Sequence, residues 1–290
     1  MTATTAAAGS MPAEHRTPIA GRLSRAILPV YTAVAVIYLF VPIAVMIAFS
    51  FNDPLGRQNI TWQGFTIENY FQVWNRSDIT GPMLASLTVA LVSTIAATIL
   101  GTLIGLALTR YEFRGQGALN LLIYVPMATP EVIMGASLLA MWVTMDIQRG
   151  LPTIIIAHVM FCISFVVVAI RARLAGFNRS LEEAAMDLGA DEWTTFRKVT
   201  FPLILPGILA AALLSFALSI DDYVITSFVS GQTVTFPLWV YGASRFGVPP
   251  EVNVLGTLIF VVAFVLILAQ ILWSRRGRGA SASRPIEVES

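Results

Sequence analysis

Three carboxylates stand at positions where a carboxylate is expensive. Asp221 and Asp222 lie within an apolar run that begins near Leu203, and Glu131 follows Pro130 in another. An acidic or basic side chain at the centre of a membrane helix costs about 2.5–3.5 kcal/mol even on the most forgiving scale, so each such group needs a partner or a polar route through the protein. Carboxylates along a route would attract a solute bearing ammonium groups, and the aromatic faces of Tyr223, Trp142 or Tyr241 would add cation–π attraction. A plainer use of the same residues is that Asp221 and Asp222 pair with Arg245 or cap a helix at the membrane surface. His158, in a further apolar run, reads either as a proton relay or as a hydrogen-bonded packing residue.

Other chemistries find little support. The one cysteine, Cys162, excludes an internal disulfide framework. The two histidines form no H-E-x-x-H pattern and no metal site can be assembled. The sole lysine, Lys198, follows Arg197 rather than a glycine, so no G-x-x-x-x-G-K-[ST] phosphate loop exists. No catalytic residue, metal or cofactor is therefore expected on this chain, and any ATP that drives it must bind elsewhere. A net charge of +1 gives no global basic field for nucleic acid.

The elements that carry these residues are membrane spans. Of the 290 residues 56% are hydrophobic and only 12% charged, and the mean hydropathy is +0.75, whereas a soluble domain carries about 25% charged residues. The pattern predicts an all-α integral membrane protein with six transmembrane helices, near 27–51, 82–109, 118–144, 152–170, 203–230 and 252–273. Each is long enough for a hydrocarbon core of about 30 Å. Pro126 and Pro130 break the third, and Gly101 and Gly105 in the second permit close helix contact, for packing within the bundle or as a dimer seam. Residues 1–26 are expected to form a disordered cytoplasmic tail and juxtamembrane segment, 27–273 the membrane domain, and 274–290 a cytoplasmic C-terminal tail. Only Arg57, Arg76, Arg149 and Arg245 of the 18 basic residues fall on the side opposite the tails. The positive-inside rule then places both termini in the cytoplasm.

Between the fourth and fifth runs lies a polar island, SLEEAAMDLGADEWTTFRKVTFP, from Ser180 to Pro202. Ser180 with Glu183 reads as a capping box, Gly189 as the left-handed stop, and Asp191 as the cap of a second short helix through Trp193 and Phe196. Leu181, Ala184, Ala185 and Leu188 share one face of the first helix, an apolar stripe with two small residues where another surface could approach. On local physics alone, Glu183 either serves that surface or merely caps its own helix.

The spacing of Glu183-Ala184-Ala185, Gly189 and Val199-x-Phe201-Pro202 closely resembles the EAA motif of permease subunits of binding-protein-dependent ABC importers. Val199 and Phe201 stand where that family usually has Ile and Leu. The flanking stretches HVMFCISFVVVAIRARLAGF, LSIDDYVITSFVSG and FGVPPEVN resemble the spermidine/putrescine branch. The resemblance implies a type I importer bundle with a cytoplasmic coupling loop over 174–202, in which Glu183, Ala184, Ala185, Gly189 and Pro202 form the ATPase contact. It also implies two ABC ATPase subunits that hydrolyse ATP, a second permease subunit and an extracytoplasmic solute-binding protein, in a bacterial inner membrane. Polyamines would be the substrate, with Asp221, Asp222, Glu131 and Tyr223 as candidates along the path. Importers of iron, phosphonates or opines share the motif and remain alternatives. A proton-coupled secondary transporter using His158 is a third.

Overall fold

The computed structural model describes residues 18–56 and 58–279. Lipid offers no hydrogen bonds to the backbone, so an apolar run that crosses it is forced into helix. The described chain is mostly helical: α1 (Pro18–Ser50), α2 (Asn69–Gln72), α3 (Ser77–Arg110), α4 (Gln116–Ala128), α5 (Glu131–Thr144), α6 (Leu151–Ala175), α7 (Ser180–Asp187), α8 (Glu192–Thr195), α9 (Phe201–Ile220), α10 (Val224–Val229), α11 (Phe236–Ser244) and α12 (Pro250–Gly279). The two tails expected over 1–26 and 274–290 lie largely outside the described residues.

Five of these helices are long and apolar enough to cross a membrane, and α4 with α5 make a sixth candidate bent by 108°. The bend falls at Thr129 and Pro130, both in extended conformation. Proline drives the residue before it out of helical geometry, so Thr129 ends α4 and Pro130 opens α5. Pro126, the other expected break, lies inside α4.

The expected fifth span is corrected. One helix over 203–230 does not form, because α9 stops at Ile220 and a new helix, α10, starts at Val224 with Asp221 to Tyr223 between them. Asp222 caps the new helix, accepting from the backbone N–H groups of Ile225 at 3.3 Å and Thr226 at 2.8 Å. Those bonds satisfy donors that continuous helix would have satisfied itself.

The core lies among α3, α5, α6, α9 and α10, where Val89, Leu138, Phe161, Ile170, Ile204 and Val229 are buried together. Gly101 and Gly105 are spent inside the bundle: a Cβ at Gly101 would stand 2.7 Å from Val166 Cβ on α6. Trp142, considered above as an aromatic face on a route, is instead packed in this core. A smaller cluster, with Val73, Ile79, Phe236 and Leu255, closes the end where α3 and α12 begin. There Arg76 bonds the buried Glu251 at 2.9 Å and fastens the two helix starts together.

Candidate functional site

Two regions collect the residues singled out above, and α9 separates them by its own length, 20 residues or about 30 Å. At the end where α9 begins stands the polar loop. Its first helix starts as foreseen at Ser180, but its cap differs. The Ser180–Glu183 capping box is not formed, since Asn178 Oδ1 accepts both the backbone N–H of Ser180 at 3.1 Å and its hydroxyl. Gly189 does take the left-handed conformation, with φ of +88°. Asp191 caps α8 by accepting from Thr194 N–H at 3.3 Å, and that bond holds its carboxyl below the ordinary range.

Freed from capping, Glu183 is exposed, and among the described residues its side chain makes no hydrogen bond or ion pair. Ala184 is exposed and Ala185 half-exposed beside it. Around them stand large apolar side chains open to solvent, above all Leu188 at 90% and Trp193 at 66% exposure, with Leu181 and Met186. These side chains form an exposed apolar face on the loop beside charged residues. Pro202, at the far end of the motif, stands in the first turn of α9, directly after the π-helical segment Phe196–Thr200.

The neighbouring glutamate, which sequence reasoning missed, does the opposite. Glu182 is buried, with its side chain only 7% exposed, and takes a two-pronged ion pair from Arg110 at the end of α3, at 2.5 and 2.6 Å. The Thr200 hydroxyl donates to the same carboxylate. Burial resists its ionisation, but the bonds from Arg110 and Thr200 and the charges of Arg110 and Arg179 outweigh it and hold the carboxyl below the ordinary range. Between this pair and α8 opens a cavity of about 810 Å³, lined by Leu106, Tyr111, Met186, Trp193 and Phe196 among others.

At the other end of α9 the three carboxylates come together. Glu131 at the start of α5 lies within electrostatic reach of both Asp221 and Asp222, although it is about 90 residues away in sequence. Their surroundings differ. Asp221 and Glu131 are exposed, whereas the Asp222 side chain is 5% exposed. It is held by the α10 cap, by the Thr226 hydroxyl at 2.7 Å and by His158 Nε2 at 3.3 Å.

His158 is hydrogen-bonded at both nitrogens, through Nδ1 to Ser219 at 2.7 Å and through Nε2 to Thr226 Oγ1 at 2.9 Å. Ser219 in turn meets Ser93 of α3 at 3.0 Å. This buried polar string joins α3, α6, α9 and α10. It matches the packing alternative for His158 and the capping alternative for Asp222. Arg245 does not pair with the aspartates; it lies 5.2 Å over the Tyr241 ring. Tyr241 contacts Tyr223, with ring centroids 4.6 Å apart, so the two tyrosines of the first reading do come together. Among the described residues, no group of three or more metal-ligating side chains occurs.

Comparison with known proteins sets this geometry in context. Residues 97–276 match the family model described as binding-protein-dependent transport system inner membrane component. The chain is 41% identical over 239 residues to the spermidine/putrescine transport system permease protein PotC of Escherichia coli (strain K12), covering 82% of this chain and 90% of that protein. It is 39% identical over 247 residues to the putrescine transport system permease protein PotI of the same strain, covering 82% and 87%. In three dimensions it resembles a chain of a bacterial ABC transporter involved in the import of the acidic polysaccharide alginate. There the TM-score is 0.64 at 16% identity, covering 90% of this chain and 99% of that one. A chain from the bacterial alginate transporter in complex with its alginate pentasaccharide-bound periplasmic protein gives 0.60 at 18% identity, covering 88% and 96%.

Proposed function

Since the chain belongs to the family of binding-protein-dependent transport system inner membrane components and is a permease subunit of an ABC importer rather than an enzyme, we propose that it carries spermidine, putrescine or a closely related cation. The observation that carries the substrate class is the meeting of Glu131, Asp221 and Asp222 at one end of the bundle. Asp221 and Glu131 are exposed, and Tyr223, two residues after Asp221, pairs its ring with that of Tyr241. An extended solute with two or more ammonium groups would find charge and aromatic surface within one short reach. Asp221 and Glu131 would meet it directly, while Asp222 holds the turn that presents Asp221. The names of the relatives agree with a polyamine.

The importer works as an assembly in this reading. ATP binds and is hydrolysed on two partner ATPase subunits, which dock on Glu183, Ala184, Ala185 and the exposed leucines of the loop. A second permease chain completes the path, and a solute-binding protein delivers the cargo on the outer side of the inner membrane. Both termini and the loop face the cytoplasm in this reading, which the distribution of basic residues supports.

Uptake of labelled spermidine and putrescine tests the substrate. Cells lacking the chain, with and without its restoration, are compared in the presence of competing solutes. Restoration is expected to raise uptake, with competition by polyamines only. No restored polyamine uptake, or competition by iron chelates or phosphonates, would refute the polyamine assignment.

A further inference from the structure

The motif residues account for a docking face, but not for how a push on that face reaches the transmembrane helices. An exposed helix of eight residues on a loop would simply tilt when pulled. What opposes tilting here is the buried side of the same helix. Glu182 receives both prongs of the Arg110 guanidinium at 2.5 and 2.6 Å, across 72 residues of sequence. It also accepts the hydroxyl of Thr200, which closes the π-helical segment Phe196–Thr200 immediately before α9. One carboxylate therefore joins the end of α3, the docking helix α7 and the start of α9.

Neighbouring bonds run in the same direction. Arg179, one residue before α7, donates to the Thr109 carbonyl of α3 at 3.0 Å. Arg173, near the end of α6, donates to the Leu203 carbonyl of α9 at 2.8 Å. Arg110 also lies 5.6 Å over the ring of Phe177, between α6 and α7.

The choice of an ion pair rather than an apolar contact has a mechanical meaning. Apolar side chains slide over one another, which is how shear motions proceed. A guanidinium fork on a carboxylate fixes distance and orientation together, and breaking it leaves a buried charge alone. The π turn bears on this geometry too. Segments of this kind gather at functional sites, and here the segment ends on the hydroxyl that completes the clamp.

We propose that Glu182, paired with Arg110 and Thr200, is the positioning residue that makes the docking loop move as one body with α3 and α9, so that ATPase motion is delivered to the path. The proposal rests on the reading of the loop as the ATPase dock. Its adjacent glutamates then divide the work, Glu183 outward to the ATPase and Glu182 inward to the bundle.

The test uses the whole importer, with its ATPases, partner permease and binding protein, reconstituted in vesicles. Three quantities are measured: ATPase retained on purification, ATP hydrolysed in the presence of binding protein and spermidine, and spermidine taken up. Glu182→Gln and Arg110→Gln are each expected to retain the ATPase and its hydrolysis while spermidine moved per ATP falls roughly tenfold. Thr200→Val, which removes one bond only, should fall in the same direction by about threefold, and it decides the matter if the other variants do not reach the membrane. A merely structural role would lower uptake and hydrolysis in parallel, leaving their ratio unchanged. An unchanged ratio in these variants overturns the proposal, as does loss of the ATPase from Glu182→Gln. Leu188→Asp is the separate control: it should release the ATPase, and retention there would count against the docking reading whatever Glu182 does.

Discussion

At the scale of single residues, adjacent acids do different work twice in this chain. Asp222 is consumed by three donors and a histidine, while Asp221 beside it is open. Asp222→Ala should therefore strand the N–H groups of Ile225 and Thr226 and lower stability by about 1–3 kcal/mol. Thermal unfolding of the purified chain in detergent would show it. Asp221→Asn should leave the unfolding temperature unchanged and reduce uptake of a dication; equal thermal loss in both variants would disprove the division. The sequence disclosed the costly charges at 221 and 222 but not this split, because capping is visible only once a helix is known to restart at Val224. The glutamates of the loop taught a similar lesson. Local rules left Glu183 between a cap and an outward surface, and the capping box does not form because Asn178 accepts the Ser180 N–H instead; the partner of Glu182 lies too far away in sequence for any local rule to find.

At the scale of elements, the six expected apolar runs were legible because each is long and carries hardly a charge, and five helices long enough to cross a membrane result, with the bent pair α4 and α5 as a sixth candidate. Proline marked the bend between α4 and α5 in advance. The break between α9 and α10 was hidden, since no glycine or proline stands at 221–223 and the apolar run continues past it. Helix contacts were legible in kind: Gly101 and Gly105 announced a close approach but not that its partner would be α6. A Cβ at Gly101 would come within 2.7 Å of Val166 Cβ and 3.2 Å of the Ile163 carbonyl oxygen. Gly101→Ala should cost about 1–3 kcal/mol through overpacking, measured as a drop in unfolding temperature. Gly117→Ala, on α4 with open space around it, should be neutral or slightly stabilising. If both substitutions behave alike, the α3–α6 contact is not what constrains Gly101.

At the scale of the whole molecule, the proposed orientation can be read by labelling, because the single native thiol is buried. Leu188→Cys on the docking loop and Leu55→Cys between α1 and α2 replace side chains that are 90% and 95% exposed. A membrane-impermeant maleimide added to intact spheroplasts should label the cysteine at 55 and not that at 188, and inverted vesicles from cells lacking the ATPase subunits should give the reverse. Labelling of both from one side would contradict the orientation. The packing of α1 against α12 also sets an order of events during synthesis. The first span leaves the ribosome about 200 residues before Pro250 opens its partner, an interval of about 10–40 s at ordinary elongation rates. Even in the folded chain α1 keeps most of its surface from Ile27 to Ser50 outside the bundle, so it can stand in lipid as a single helix through that interval. α12, made about 200 residues after α1, is the helix that α1 packs against.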